Sequence, residues 1–285
     1  MGGVKPCVFI DYCSVGKYEP YVSKSGLYKC LIKNVEHTGR YFGIFVMMSL
    51  VLAIETSEQI CSVALFQSSE LLSFKEKNHA NVHSQFLFTL IHELFAENEL
   101  SIQNIDAVAV NLGPGSYTGL RIGCTAAKSI AYSIGCPVIG VEGLELMASA
   151  YLNELSDKEA LNDGDMICSM IDARRMEVFW QFFNSGGERL SEPEPALLEE
   201  VENPYKNLNG QLHVIGSGAS KCAKLESFEG AIIDDAVLLH AKYMGPLLSE
   251  KMDKKEFEDL AYFEPKYLKG FHFIPPKNKS ASSNG

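Results

Sequence analysis

Leu50-Val51-Leu52-Ala53-Ile54 runs into Glu55-Thr56-Ser57-Glu58-Gln59 and then into Ile60-Cys61-Ser62-Val63-Ala64-Leu65-Phe66, which reads as strand, acidic turn, strand. The first run is apolar without interruption, as a strand covered on both faces requires. A helical stretch follows. After it come a strand at Ala107-Val108-Ala109-Val110, a glycine turn at Gly113-Pro114-Gly115, a helix from about Thr118 and a strand over Pro137–Val141. The order then recurs. Met166–Ile171 enters the polar turn Asp172-Ala173-Arg174-Arg175 and returns along Met176–Phe183, and Leu212–Ile215 meets Gly216-Ser217-Gly218 and a short helical stretch. A duplicated unit of this kind predicts two α/β domains facing each other across a cleft, the second abbreviated. The boundaries expected are 48–150 for the first domain and 151–268 for the second, with a C-terminal helix, flanked by an extension at 1–47 and a disordered tail at 269–285.

The chain has 285 residues, 25 basic and 36 acidic, for a net charge of −11. That balance argues against tight autonomous binding of nucleic acid, because phosphate affinity comes from counterions displaced by Lys and Arg. The eight cysteines contain no C-x-x-C pair and no metal-finger spacing, which points to free thiols in a reducing cytoplasm. Pro and Lys crowd the stretch beyond Pro265, so that segment is expected to be disordered.

Residues 1–47 differ from the rest. They are rich in Tyr, Lys and Gly, show no sustained periodicity and carry a net +3, leaving −14 for the remainder. The apolar run Tyr41–Ile54 sits too late for a signal-peptide core and is too short to span a bilayer, which takes ~20 residues. An upstream start site, with the natural protein beginning at Met47 or Met48, is the expectation.

The segment Gly113-Pro114-Gly115-Ser116-Tyr117-Thr118-Gly119-Leu120-Arg121-Ile122-Gly123 carries the most information. It joins a buried strand to a helix N-terminus, where unpaired N–H groups and the macrodipole form an anion site. Gly113 and Gly115 would let a phosphate approach, Ser116 and Thr118 would cap the helix or donate, and Arg121 would touch a nucleotide or a partner. The alternative is a plain tight turn with a capped helix. No Walker motif is present.

Two features of the helices point to a partner. Gly119, Gly123, Ala127 and Ala131 recur every four residues, a small-residue stripe that admits a close helix. Over Gln85–Phe95 the apolar positions Phe86, Leu87, Phe88, Leu90, Ile91, Leu94 and Phe95 cover ~200° of arc, about twice what covering a sheet needs. The expected interface is Phe86, Leu90, Ile91 and Leu94 with Gly119, Gly123 and Ala127. The alternative is burial under the tail or the second domain.

His79 and His83 have the spacing of two ligands on one helix face, but no third ligand is apparent, so no metal site is expected. Glu55 and Asp172 are candidates to face each other across the cleft as bases or magnesium ligands. Alternatively each accepts hydrogen bonds from its own turn.

Ile54-Glu55-Thr56-Ser57, the glycine segment Gly113–Gly123, Asp172-Ala173-Arg174-Arg175-Met176-Glu177-Val178 and Pro265-Lys266-Tyr267-Leu268 together resemble the TsaB (YeaZ) family of tRNA threonylcarbamoyladenosine biosynthesis. The resemblance spans about residues 48–270 and gives the first 47 no counterpart. It implies an actin-like (ASKHA, ribonuclease H-like) α/β fold. The family's catalytic paralogue, TsaD, carries an H-x-x-x-H metal pair just after the strand that follows the glycine-loop helix. This chain reads Val141-Glu142-Gly143-Leu144-Glu145 there.

The resemblance therefore implies a noncatalytic subunit without a metal or cofactor of its own. It would form a heterodimer with TsaD and work with the ATPase TsaE on adenosine 37 of ANN-decoding tRNAs. ATP or ADP would sit at the subunit junction if anywhere, tRNA would be met only through the complex, and a homodimer would be open to the isolated chain. A stand-alone actin-like ATPase or small-molecule kinase is the rival. A peptidase, the activity in older family naming, finds no nucleophile–base pair in this sequence.

Overall fold

The computed structural model describes residues 49–78, 83–155, 161–202, 206 and 208–269, together with two short strands near the N-terminus. Those strands, β1 (Glu19–Val22) and β2 (Tyr28–Leu31), pair antiparallel with each other. The expectations about the rest of residues 1–47, about His79 and about residues 270–285 lie outside the described residues.

The first lobe holds β3 (Leu50–Glu55), β4 (Ile60–Gln67), β5 (Glu70–Asn78), α1 (His83–Glu97), β6 (Ala107–Gly113), α2 (Tyr117–Ile134) and β7 (Val138–Glu142). Its sheet runs β5-β4-β3-β6-β7, with β3 antiparallel to β4 and parallel to β6. Every residue of β3 is buried, which accounts for its unbroken apolar run. One face, with Leu50, Leu52, Ile54 and Val110, is covered by α1 and α2, and the other presents Val51, Ala53, Ala109 and Val141 inward.

α3 (Gly143–Glu154) then leads to β8 (Met166–Asp172), β9 (Glu177–Asn184), β10 (Glu194–Leu197), β11 (Leu212–Ile215) and β12 (Ile232–Asp234). The second sheet, β10-β9-β8-β11-β12, repeats the plan of the first: an antiparallel hairpin with a third strand outside it, then two parallel strands. Where the first lobe has α2, the second has two short 3-10 turns, Ala219–Lys224 and Glu226–Phe228, so the abbreviation read from the sequence is real.

α3 lies between the two sheets. Leu144, Met147 and Ala148 share one buried cluster with Ile139 and Val141 from the first sheet and Ile167, Phe183 and Ile215 from the second. The expected boundary at 150 therefore falls inside a helix that both lobes bury. After Leu239 the chain returns to the first lobe: Ala241 N–H donates to Ser62 Oγ at 2.9 Å, and α4 (Gly245–Lys254) begins beneath Ser69.

The segment after α4 is a strap. Glu258 N–H bonds the Val138 carbonyl at 2.8 Å, Phe263 inserts among the α1–α2 core residues, and Lys266 N–H bonds the Leu112 carbonyl at 2.7 Å. Disorder expected from Pro265 onward is thus corrected for Pro265–Lys269, which the body of the first lobe holds by backbone pairing.

Candidate functional site

Between the lobes lies a cleft of about 1160 Å³. Its walls come from the β3–β4 turn (Ser57, Glu58), the α1 start (His83), the glycine loop and α2 start (Gly115, Ser116, Thr118), the β8–β9 turn (Asp172, Arg174), Ser217 and Lys269.

The glycine loop is closed by its own chain. Gly113 adopts φ +121°, a region glycine enters without cost, and a Cβ there would lie 2.8 Å from the Lys266 carbonyl oxygen. A Cβ on Gly115 would lie 2.5 Å from the Ser57 carbonyl oxygen, which also accepts the Ser116 N–H at 2.7 Å. Two carbonyl oxygens occupy the space that a Cβ at either glycine would need. Ser116 caps α2, its Oγ accepting from Gly119 N–H at 3.3 Å. Thr118 is exposed at the cleft wall. Arg121 donates from Nε to Tyr267 Oη at 2.9 Å, and Tyr267 stacks on Tyr117 at 4.7 Å between centroids. The loop is a tight turn with a capped helix start, and Arg121 is anchored to the strap.

The small-residue stripe has the same explanation. A Cβ at Gly119 would come within 2.0 Å of the Thr56 carbonyl oxygen, and one at Gly123 within 2.4 Å of Thr56 Oγ1. Ala127 is buried in the α1–α2 core. Gly119 and Gly123 press α2 onto the β3–β4 turn, Ala127 packs into the core beneath the helix, and all three are buried within the lobe. The same correction applies to Leu90, Ile91 and Leu94 on α1, which bury against their own sheet, while Phe86 is half-buried under Lys77. The wide apolar arc is absorbed mostly within the lobe. On the outer side of the helical layer, Phe88 on α1 is 56% exposed and Tyr132 on α2 80%.

Glu55 and Asp172 do not meet as a catalytic pair. Glu55 is buried. Its Oε1 accepts from Ser57 N–H at 2.6 Å and its Oε2 from Asn111 Nδ2 at 2.6 Å, while burial raises its pKa above the usual carboxylate range. Asp172 Oδ1 accepts from its own turn at Arg174 N–H, 2.5 Å, and from Lys221 Nζ at 2.8 Å. Each accepts from its own turn and from one further element, Glu55 from Asn111 of β6 and Asp172 from Lys221 of the 3-10 turn.

The buried carboxylate on the cleft wall is Glu58, a turn residue that no sequence motif marks. Its Oε1 accepts from Ser217 Oγ of the opposite lobe, and its Oε2 is sealed from solvent with no hydrogen-bond partner among the described residues. Burial pushes the carboxyl up to about 7; the Ser217 hydrogen bond opposes this, and the like charges of Glu55 and Asp172 add to it. Its backbone carbonyl bonds His83 Nε2 at 2.7 Å, so His83 anchors the turn. No group of three His, Cys, Asp or Glu side chains placed to hold a metal ion occurs among the described residues.

At the far end of the first sheet, Glu142 and Glu145 bind Arg189 of the second lobe at 3.1 and 2.7 Å, and Lys266 of the strap reaches Glu142 at 2.5 Å. Burial works to raise the Glu142 carboxyl, but Lys266 and Arg189 outweigh it and hold it below its ordinary value.

A family model described as TsaD, tRNA N6-adenosine threonylcarbamoyltransferase, matches residues 77–262. The tRNA threonylcarbamoyladenosine biosynthesis protein TsaB of Escherichia coli (strain K12) is 28% identical over 225 residues, covering 77% of this chain and 94% of its own. The TsaB of Bacillus subtilis (strain 168) is 29% identical over 177 residues, 60% of this chain and 72% of that one. The solved structure of YeaZ from Pseudomonas aeruginosa superposes with a TM-score of 0.66 at 26% identity, over 78% of this chain and all of that one. The duplicated sheets are those of the actin-like (ASKHA) fold.

Proposed function

The chain belongs to the tRNA N6-adenosine threonylcarbamoyltransferase family and, within it, to the TsaB (YeaZ) proteins of tRNA threonylcarbamoyladenosine biosynthesis, and on that premise we propose that it is a noncatalytic subunit that binds and stabilises TsaD. The complex transfers threonylcarbamoyl from threonylcarbamoyl-adenylate to adenosine 37 of ANN-decoding tRNAs, in the cytoplasm and with TsaE as a further component.

One observation carries the reading. Where the paralogue carries its imidazole pair, this chain has the shorter segment Val141–Glu145 with no imidazole, and its two carboxylates, Glu142 and Glu145, are engaged in ion pairs with Arg189 that tie its own lobes together. Those carboxylates brace the fold and are not presented to a substrate. The net charge of −11 supports a role in which tRNA is met through the partner.

The outer helical layer is the docking face we assign, centred on Phe88 and Tyr132, whose exposed rings are the kind of group that anchors interfaces. In the absence of TsaD the same face is open to self-pairing. ATP or ADP, where it takes part, binds at the junction of the complex. The glycine loop of this chain is filled by the Ser57 and Lys266 carbonyls.

Mixing the purified chain with TsaD and measuring mass by light scattering tests the proposal. A heterodimer is expected, with Phe88→Glu and Tyr132→Glu together abolishing it while the monomer stays folded. Modification of tRNA by this chain alone, or micromolar Mg-ATP binding with turnover in the absence of TsaD, would overturn it in favour of an autonomous enzyme.

A further inference from the structure

Ser217 Oγ has one proton, and it donates that proton to Glu58 Oε1 while accepting from Asp172 N–H at 3.1 Å. Glu58 belongs to the β3–β4 turn of the first lobe, and Ser217 to the loop after β11 in the second. This hydrogen bond therefore crosses the cleft. Glu58 Oε2 has no donor among the described residues, so within them the ionised carboxylate accepts a single hydrogen bond in a site where charge is poorly solvated.

The surrounding charges make the ionised form worse. Glu55 lies on the same turn, and Asp172 comes from the β8–β9 turn opposite. Of the neighbouring cations, Lys221 Nζ binds Asp172 and Lys269 Nζ binds Glu177, while the Arg174 side chain is exposed at the cleft wall and makes no contact with Glu58 among the described residues. Arg174 and Asp235 line the same cleft, and His83 at the start of α1 is turned to the Glu58 backbone carbonyl. The β5 end and the α2 start contribute the uncharged Asn78, Ser116, Tyr117 and Thr118.

We propose that Glu58 and Ser217 form a protonation-gated clasp that holds the two lobes together when Glu58 is neutral and loosens them when it ionises. A proton on Oε2 removes the uncompensated charge and leaves Oε1 to accept from Ser217. Loss of that proton sets a bare carboxylate against Glu55 and Asp172, which separation of the lobes relieves by admitting water. α3, buried against both sheets, is the element about which the lobes part.

The sign and size follow from linkage. Burial raises the closed-state carboxyl from 4.5 to about 7, and exposure returns it to the ordinary value. The closed form thus binds the proton more tightly, so closure is favoured below about 7 and that preference is lost as pH rises through it. Between pH ~6 and ~8 the closed-to-open ratio falls about tenfold.

Hydrogen–deuterium exchange of the full chain at those two pH values, corrected for the intrinsic exchange rate, reads this directly. The stretches 55–62 and 214–220 are expected to lose about tenfold in protection at the higher pH. Glu58→Gln, neutral throughout, keeps its protection at both, and Ser217→Ala is weakly protected at both. Equal wild-type protection at the two pH values overturns the clasp without recourse to any variant. So does a tenfold response retained in Glu58→Gln, or full protection retained in Ser217→Ala.

Discussion

Thr56 Oγ1 donates to the Gly119 carbonyl at 2.8 Å, while the Thr56 carbonyl sits where a Cβ of Gly119 would have to go, 2.0 Å away. The two residues are 63 apart in sequence and fix how deeply α2 rests on the β3–β4 turn. Gly119→Ala should therefore destabilise the protein by ~1–3 kcal/mol, the cost of forcing atoms into a packed contact. In an open helix the same change would stabilise by ~1 kcal/mol. Urea unfolding distinguishes the two by sign.

α1 separates stability from docking. Leu94, fully buried, should lose ~2–5 kcal/mol on change to Ala with no specific effect on a partner. Phe88→Glu on the opposite side should leave the monomer within ~0.5 kcal/mol of wild type and remove TsaD binding. Denaturant midpoints and a pull-down on the same two variants check both halves.

Asn111 joins three strands of argument at one buried amide. Its Nδ2 donates to Glu55 Oε2 at 2.6 Å and Ser57 Oγ at 3.0 Å, and its Oδ1 accepts from Gly113 N–H at 2.8 Å. Asn111→Ala should cost ~2–5 kcal/mol by leaving the carboxylate and the Gly113 donor unsatisfied. Asn111→Asp should cost more at pH 7, because it sets a second carboxylate against Glu55, and the excess should shrink on acidification. Thermal melts of both variants between pH 5 and 8 give the answer.

The Glu142 brace predicts an opposite pH response. Its carboxyl is held below 4.5 in the folded protein, so its contribution is complete above that value and is lost as pH falls through the lowered one. Arg189→Ala should lower the melting temperature at pH 7, and the gap to wild type should narrow as pH falls below 4.5. A gap that stays constant would remove Glu142 from the explanation.

Much of the architecture is legible locally. Buried strands announce themselves by unbroken apolar runs, and both hairpins and the glycine turn lie where composition places them. β5 does not, because Glu70–Asn78 is an edge strand with most of its residues exposed and so shows no alternation. The functional surface misled for a related reason. Glu58 and Ser217 are 159 residues apart, as Thr56 and Gly119 are 63, and no periodicity reports a contact at that separation. A glycine stripe says only that some backbone comes close. Whether it belongs to another molecule or to the chain's own turn is decided by topology.

Because Phe263 completes the α1–α2 core and Lys266 pairs with Leu112, the first half of the molecule is assembled from both ends of the described sequence. A nascent chain on the ribosome cannot finish that half until more than a hundred further residues have been translated beyond β7, a wait of roughly ten seconds at ~5–20 residues per second. During that interval the groove awaiting Phe263 is unfilled, which makes vectorial synthesis, and any chaperone that shields the waiting groove, part of how this protein reaches its native state.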